Sequence, residues 1–288
     1  MAISKYRVQD VFVQSGTPEH TFVQPVEYTG LMVALATPGR SIVVEGPSGI
    51  GKTTAINKAI KEAGLAGSVL TLSARKKDDV ALIAVLPAML PIGTVVVDDF
   101  HRLDDDKKKT LADLMKTLAD EGASDSKLIV IGIPNAGQSL IAFGRDLANR
   151  LEIIPFESNP EHKIAELIAK GEAALNIKVN ISDDIIRAAQ GIFYIAQMLS
   201  YRTCIRGGII ETCDPAKVTT ESYEAVKADV MKTLSRSFHE TVLQFCRGAR
   251  LKRAGRAPYL HVLYWLRESL SHPLIFHTSE NVFTKALF

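Results

Sequence analysis

The chain has 288 residues, 47% of them apolar, with a formal net charge of +2. Such a content can bury a substantial core, the length suits two compact units, and the small net charge by itself points to no class of partner. No apolar run approaches the roughly 18 residues of a membrane span and the N-terminus lacks the apolar block of a secretory signal, so the expectation is a cytoplasmic protein with no membrane partner.

In chain order, the first strong element is Ser41 to Val44, an apolar run that suits a strand buried in a parallel sheet. It runs into "EGPSGIGKTTAIN", in which Gly46, Gly49 and Gly51 lend the backbone freedom to wrap a ligand. Gly46 to Thr53 is G-x-x-x-x-G-K-T, and Ile56 and Ile60 lie four apart, as on a helix. Strand, glycine loop and helix together form a phosphate cradle from Gly46, Pro47, Ser48, Gly49, Ile50, Gly51, Lys52, Thr53 and Thr54. Lys52 is placed over the outer phosphates of ATP and the Thr53 hydroxyl on Mg²⁺. Four further strands follow at Ser68–Ser73, Gly93–Asp99, Lys127–Ile133 and Leu151–Phe156, with helices near 78–90, 104–121 and 137–150 between them. This alternation predicts an α/β fold around a five-stranded parallel sheet.

Asp98 and Asp99 end the third strand, where ligands bind in open α/β sheets. Asp98 is expected to hold Mg²⁺ through water and Asp99 to polarise an attacking water; the alternative makes both loop or cap residues. Cys204, Cys213 and Cys246 show no metal or disulfide spacing and read as buried or incidental thiols.

The glycine loop, "TVVVDDFHRL" and "KLIVIGIPNAG" resemble the Walker A, Walker B and sensor-1 segments of AAA+ and STAND ATPases, over residues 40 to about 205. The resemblance implies a P-loop ATPase core over 1–157, with an N-terminal linker, and a helical lid over 158–206. It makes Asn135 a sensor of the γ-phosphate, with a plain turn residue as the alternative. "FGRDLANRLEIIPF" is similar to the arginine-bearing helix and fifth strand of AAA+ proteins, which makes Arg150 and Arg145 candidates to complete the site of a neighbouring copy. Either could instead be a surface arginine paired with Asp146 or Glu152. Two positions depart from the pattern: Asp99 stands where glutamate is usual, and Ile192, Phe193 and Tyr194 lack the lid arginine.

Helices are expected at 160–176, from an N-cap at Ser182 to Gly191, and at 192–205; Gly207-Gly208 and Thr212–Pro215 read as a linker. Residues 207–288 then read as a small helical or winged-helix region with a long amphipathic helix at 220–245 and another around Trp265. Between those helices lie Arg247, Arg250, Lys252, Arg253 and Arg256 with no acid among them. The tract is either a solvated loop or a contact with a DNA backbone. The leading expectation is an ATPase that forms homo-oligomers on nucleotide binding and acts on DNA or a protein client, as transposition, replication and bacterial conflict ATPases do. The alternative is a STAND-like switch that turns ATP over slowly and controls an effector.

Overall fold

The computed structural model describes residues 5–65, 67 and 69–234. The basic tract, Cys246, the Trp265 helix and the end of the 220–245 helix lie outside the described residues. Contacts divide the chain into two units, Met1–Lys227 and Ala228–Phe288.

Five strands, β1 (Ser41–Glu45), β2 (Val69–Ser73), β3 (Gly93–Asp98), β4 (Ser126–Gly132) and β5 (Leu151–Pro155), form one parallel sheet in the order β2-β3-β4-β1-β5. The middles of the central strands are apolar because both of their faces are covered. Val43, Val95, Val97, Leu128 and Val130 enter one core, with Leu111, Leu114, Met115 and Leu118 of α5 (Asp105–Asp120). The alternate residues Ile42, Val44, Val96, Ile129 and Ile131 enter the opposite core, with α2 (Tyr28–Ala36) and α3 (Lys52–Glu62). Register pairs Glu45 with Gly132, Val97 with Val130 and Ser73 with Asp98, so the carboxyl ends of four strands form one rim.

Two expected helices are broken. The 78–90 segment is α4 (Lys77–Val85) followed by a 3-10 turn, Leu86–Met89, at Pro87. The 137–150 segment is α6 (Ala136–Ile141) and a 3-10 turn, Arg145–Asn149, separated at Gly144, whose missing side chain leaves room for the Lys116 ammonium to reach Asp146 at 3.2 Å. Beyond the sheet, α7 (Glu161–Leu175), α8 (Ser182–Ala189) and α9 (Phe193–Arg206) fall where helices are expected. Ser182 is not the N-cap of α8: Ile181 holds that position without a side-chain bond, and Asp183 and Asp184 remain in the first turn.

The N-terminal segment and the segment after α9 are not loose connectors. Helix α1 (Val8–Val11) and Phe12 are buried where apolar, and the Val8 N–H donates to Ile210 O at 2.9 Å. The Tyr6 and Thr212 backbones are bonded to each other, and the Cys213 N–H donates to Leu175 O at 2.8 Å. Burial pushes the Cys204 thiol up to about 12, which makes it a packing group rather than a reactive one. Among the described residues no helix is long and apolar enough to cross a membrane.

Phe12 sits against Gly171 of α7, where a Cβ would come within 2.2 Å of the ring. Gly171→Ala should therefore overpack this contact and cost about 1–3 kcal/mol. A fall in Tm of several degrees in thermal unfolding is the expected reading, and an unchanged Tm would show that the N-terminal segment does not pack as described.

Candidate nucleotide site

The apolar β1 ends at Glu45, and the chain then turns away from the rim through three glycines with positive φ, Gly46 (149°), Gly49 (81°) and Gly51 (104°). Gly46 must also be small, because a Cβ there would lie 2.4 Å from Phe156 O. Gly51 caps α3, whose first residue is Lys52, so the loop's N–H groups and the positive end of α3 stand at the rim. Lys52 Nζ donates to Gly46 O at 2.7 Å and Pro47 O at 2.8 Å. Burial lowers its pKa, and Asp98 and Asp99 oppose that effect.

The Thr53 hydroxyl donates to Asp98 Oδ2 at 3.2 Å, while Asp98 Oδ1 accepts the Asp99 N–H at 2.7 Å. Asp99 has φ 58° and a largely buried carboxylate. Both of its oxygens are held by Arg75, which follows β2: Nε to Oδ2 at 2.6 Å and Nη2 to Oδ1 at 2.8 Å. The carboxylate raises the Arg75 pKa further above its ordinary value. Ser73 Oγ adds a longer bond to Oδ2 at 3.3 Å.

These groups open into a cleft of about 460 Å³, a size suited to a small molecule. Ser48, Gly49, Gly51, Lys52, Thr53 and Thr54 line it, as do Asp98 and Asp99. The opposite walls come from the N-terminal segment, including Val13, Thr21, Phe22 and Val23, and from Leu167, Phe193 and Gln197 of the helices after the sheet. Sequence reasoning expected a helical lid over 158–206 but missed the N-terminal wall, Leu167 and Gln197, and it missed Arg75 and His101, which also line the cleft. Arg75 had a usable signal, a cation just past the carboxyl end of a strand. The start of α9 bears directly on the glycine loop: the Tyr194 N–H donates to Gly49 O at 3.2 Å, and Phe193 lies against Gly51.

No protein-family model and no curated protein matches the chain. Solved structures do. Orc1 of Aeropyrum pernix, determined in complex with DNA, aligns with a TM-score of 0.58 at 14% identity over 92% of this chain and 82% of that one. A point variant of Thermotoga maritima RuvB gives 0.53 at 16% identity over 83% and 82%, respectively. Domain III of the replication initiation protein DnaA from Thermotoga maritima gives 0.51 at 16% identity over 78% and 98%. This is the AAA+ P-loop ATPase fold.

Within the AAA+ fold, Lys52, Thr53, Asp98 and Asp99 come together at the cleft with Ser48, Gly49, Gly51 and Thr54 of the loop, whereas Asn135, Arg145 and Arg150 do not line it. Asn135 is exposed, caps α6 at φ 70° and is not among the lining residues. Arg150 donates to Asp120 Oδ1 at 2.7 Å and to Asp146 Oδ2 at 3.0 Å within its own chain. Arg145 is exposed and makes no ion pair among the described residues.

The closeness of Gly46 to Phe156 can be tested directly. Gly46→Ala should destabilise the protein by about 1–3 kcal/mol, because the added methyl meets backbone rather than a movable side chain. Equilibrium unfolding is the measurement; a cost of a few tenths of a kcal/mol would show that the loop does not pass Phe156 so closely.

Proposed function

We propose that this chain is a cytoplasmic AAA+ ATPase that binds ATP with Mg²⁺, assembles with copies of itself when nucleotide is bound, and acts on DNA or a protein client. The observation that carries this reading is the loop from Gly46 to Thr54 at the head of α3, with Thr53 Oγ1 within 3.2 Å of Asp98. A hydroxyl and a carboxylate side by side suit Mg²⁺, which takes few protein ligands and fills its octahedron with phosphate and water. When bound, the ion supplies positive charge against the phosphates.

The chain's own residues do the rest. Lys52 exchanges its two carbonyl partners for phosphate oxygens, keeping its bonds while gaining a charged partner. Asp99 orients a water and receives its proton. Residues 158–206 act as the lid on the 1–157 core, and 207–288 form the partner-binding region. Arg145 is the better candidate for the arginine acting on a neighbouring copy, since Arg150 is engaged within its own chain.

A second reading, a switch with slow turnover, is favoured by the Arg75–Asp99 pair. A carboxylate with both oxygens bonded to a guanidinium is already engaged and has to exchange that partner before it can orient a water. Hydrolysis on this reading waits until Arg75 lets go.

Lys52→Ala should abolish ATP binding in an equilibrium titration, and unchanged affinity would remove the P-loop assignment. Asp99→Asn should spare binding and slow single-turnover hydrolysis by about 10²-fold or more. Arg75→Ala should speed basal hydrolysis severalfold if the pair restrains Asp99; slower hydrolysis would instead make Arg75 a phosphate contact.

DNA as the client is supported by the basic tract and by the fold shared with an Orc1 that was solved on DNA. Affinity for duplex DNA should fall steeply with salt, and Arg250→Ala with Arg253→Ala should flatten the slope of log affinity against log salt by roughly two. Absence of DNA binding at low salt in the presence of an ATP analogue would move the tract to a protein partner.

A further inference from the structure

One residue lining the cleft carries a buried polar atom without a partner, and the bonds around it fix what it can accept. Gln197, on α9, is 4% exposed and lines the cleft together with Phe22, Val23, Leu167 and Phe193. Its Nε2 donates to Thr21 Oγ1 at 2.7 Å, and Thr21 Oγ1 donates its own proton to Val11 O at 2.7 Å. The Thr21 hydroxyl can therefore only accept from Gln197, which sets the amide with nitrogen toward Thr21 and Oε1 away from it. That Oε1 is buried and has no hydrogen-bond partner. A buried acceptor left unmatched is costly, and it rejects another acceptor more strongly than it attracts a donor.

Position tells which part of a ligand it meets. Phe193, at the start of α9, lies against Gly51 of the phosphate loop, and Gln197 is one helical turn further on, about 6 Å along the axis. The phosphates belong at Gly51, so the apolar walls around Gln197 belong to the base.

We propose that Gln197 Oε1 is the specificity-determining acceptor that reads the 6-amino group of a purine base and excludes 6-oxo purines. The inference rests on the nucleotide reading of the cleft and adds the residue that selects the base. Adenine presents an N–H donor at that position, whereas guanine and hypoxanthine present a second acceptor. Since Oε1 is covered in the described conformation, the contact includes a small rearrangement of the apolar side chains beside it, with the Thr21 bond to Nε2 kept.

The test is an equilibrium titration of the full chain with ATP, with ITP, and with purine riboside triphosphate, which carries only hydrogen at position 6. The wild type should bind ATP about 10-fold or more tightly than ITP, with purine riboside triphosphate between them. Gln197→Met keeps the length and removes the acceptor, and should bring ATP and ITP to within about 3-fold of each other. Thr21→Val frees the amide to turn its nitrogen toward the base and should raise ITP affinity relative to ATP; it decides the matter with the wild-type order if the Met variant does not fold. Equal binding of all three nucleotides by the wild type, or an unchanged ATP preference in Gln197→Met, overturns the role of Gln197. Lys52-dependent ATP binding without base preference removes this inference alone, whereas no nucleotide binding at all removes the nucleotide reading with it.

Discussion

Backbone contact between Gly46 and Phe156 holds the parts of the site in one circuit. The Phe156 N–H donates to Glu45 O at 2.7 Å, and Phe156 O occupies the space that a side chain at Gly46 would need. The end of β5 is thus locked to the start of the glycine loop. Just beyond it, the Asn159 N–H and its side-chain amide both donate to Gly191 O, and Gly191 leads into α9. The circuit closes where Tyr194 and Phe193 of α9 touch Gly49 and Gly51. A displacement of the loop is felt at the base of α9 by two routes, and close-packed backbone gives neither route slack.

The electrostatics of the rim follow the same logic. Lys52 is bonded to carbonyls, Asp98 to the Thr53 hydroxyl, and Asp99 to Arg75. Each charge already has a partner, so an anion entering this cleft exchanges partners rather than filling gaps. Its net affinity is the difference between new contacts and those it breaks, which leaves affinity open to adjustment by any residue that strengthens the existing pairs.

The sheet was legible in the sequence because the middles of its central strands are apolar on both faces, and runs such as Leu128–Ile131 have few other ways to be buried. Glycine spacing and the aspartates after a β-branched run exposed the loop and rim for a related reason: those residue types are scarce in strand interiors and concentrate where the chain must turn or meet charge. The N-terminal wall was hidden because its meaning lies in long-range contacts. Nothing local in Tyr6 or Thr21 signals bonds to residues 206 and 176 positions away. Arg150 divides the same way: its pairing with Asp146, four residues earlier, was readable as an alternative, whereas that with Asp120, 30 residues earlier and on another helix, was not. Helix breaks at Pro87 and Gly144 were visible as residues, but whether each broke a helix depended on packing such as the Lys116 ammonium beside Gly144.

The long reach of the N-terminal segment also orders events in synthesis. Tyr6 leaves the ribosome 206 residues ahead of Thr212, its partner, which at ordinary elongation speeds is roughly 10–40 s. Val8, Phe12 and Thr21 must wait in the same way for Ile210, α7 and α9, so the N-terminal wall that Thr21 belongs to is the last part of the cleft to be built. The sheet and the glycine loop can be in place well before then. On the proposed nucleotide reading, a nascent chain therefore holds its phosphate loop before its base pocket is complete.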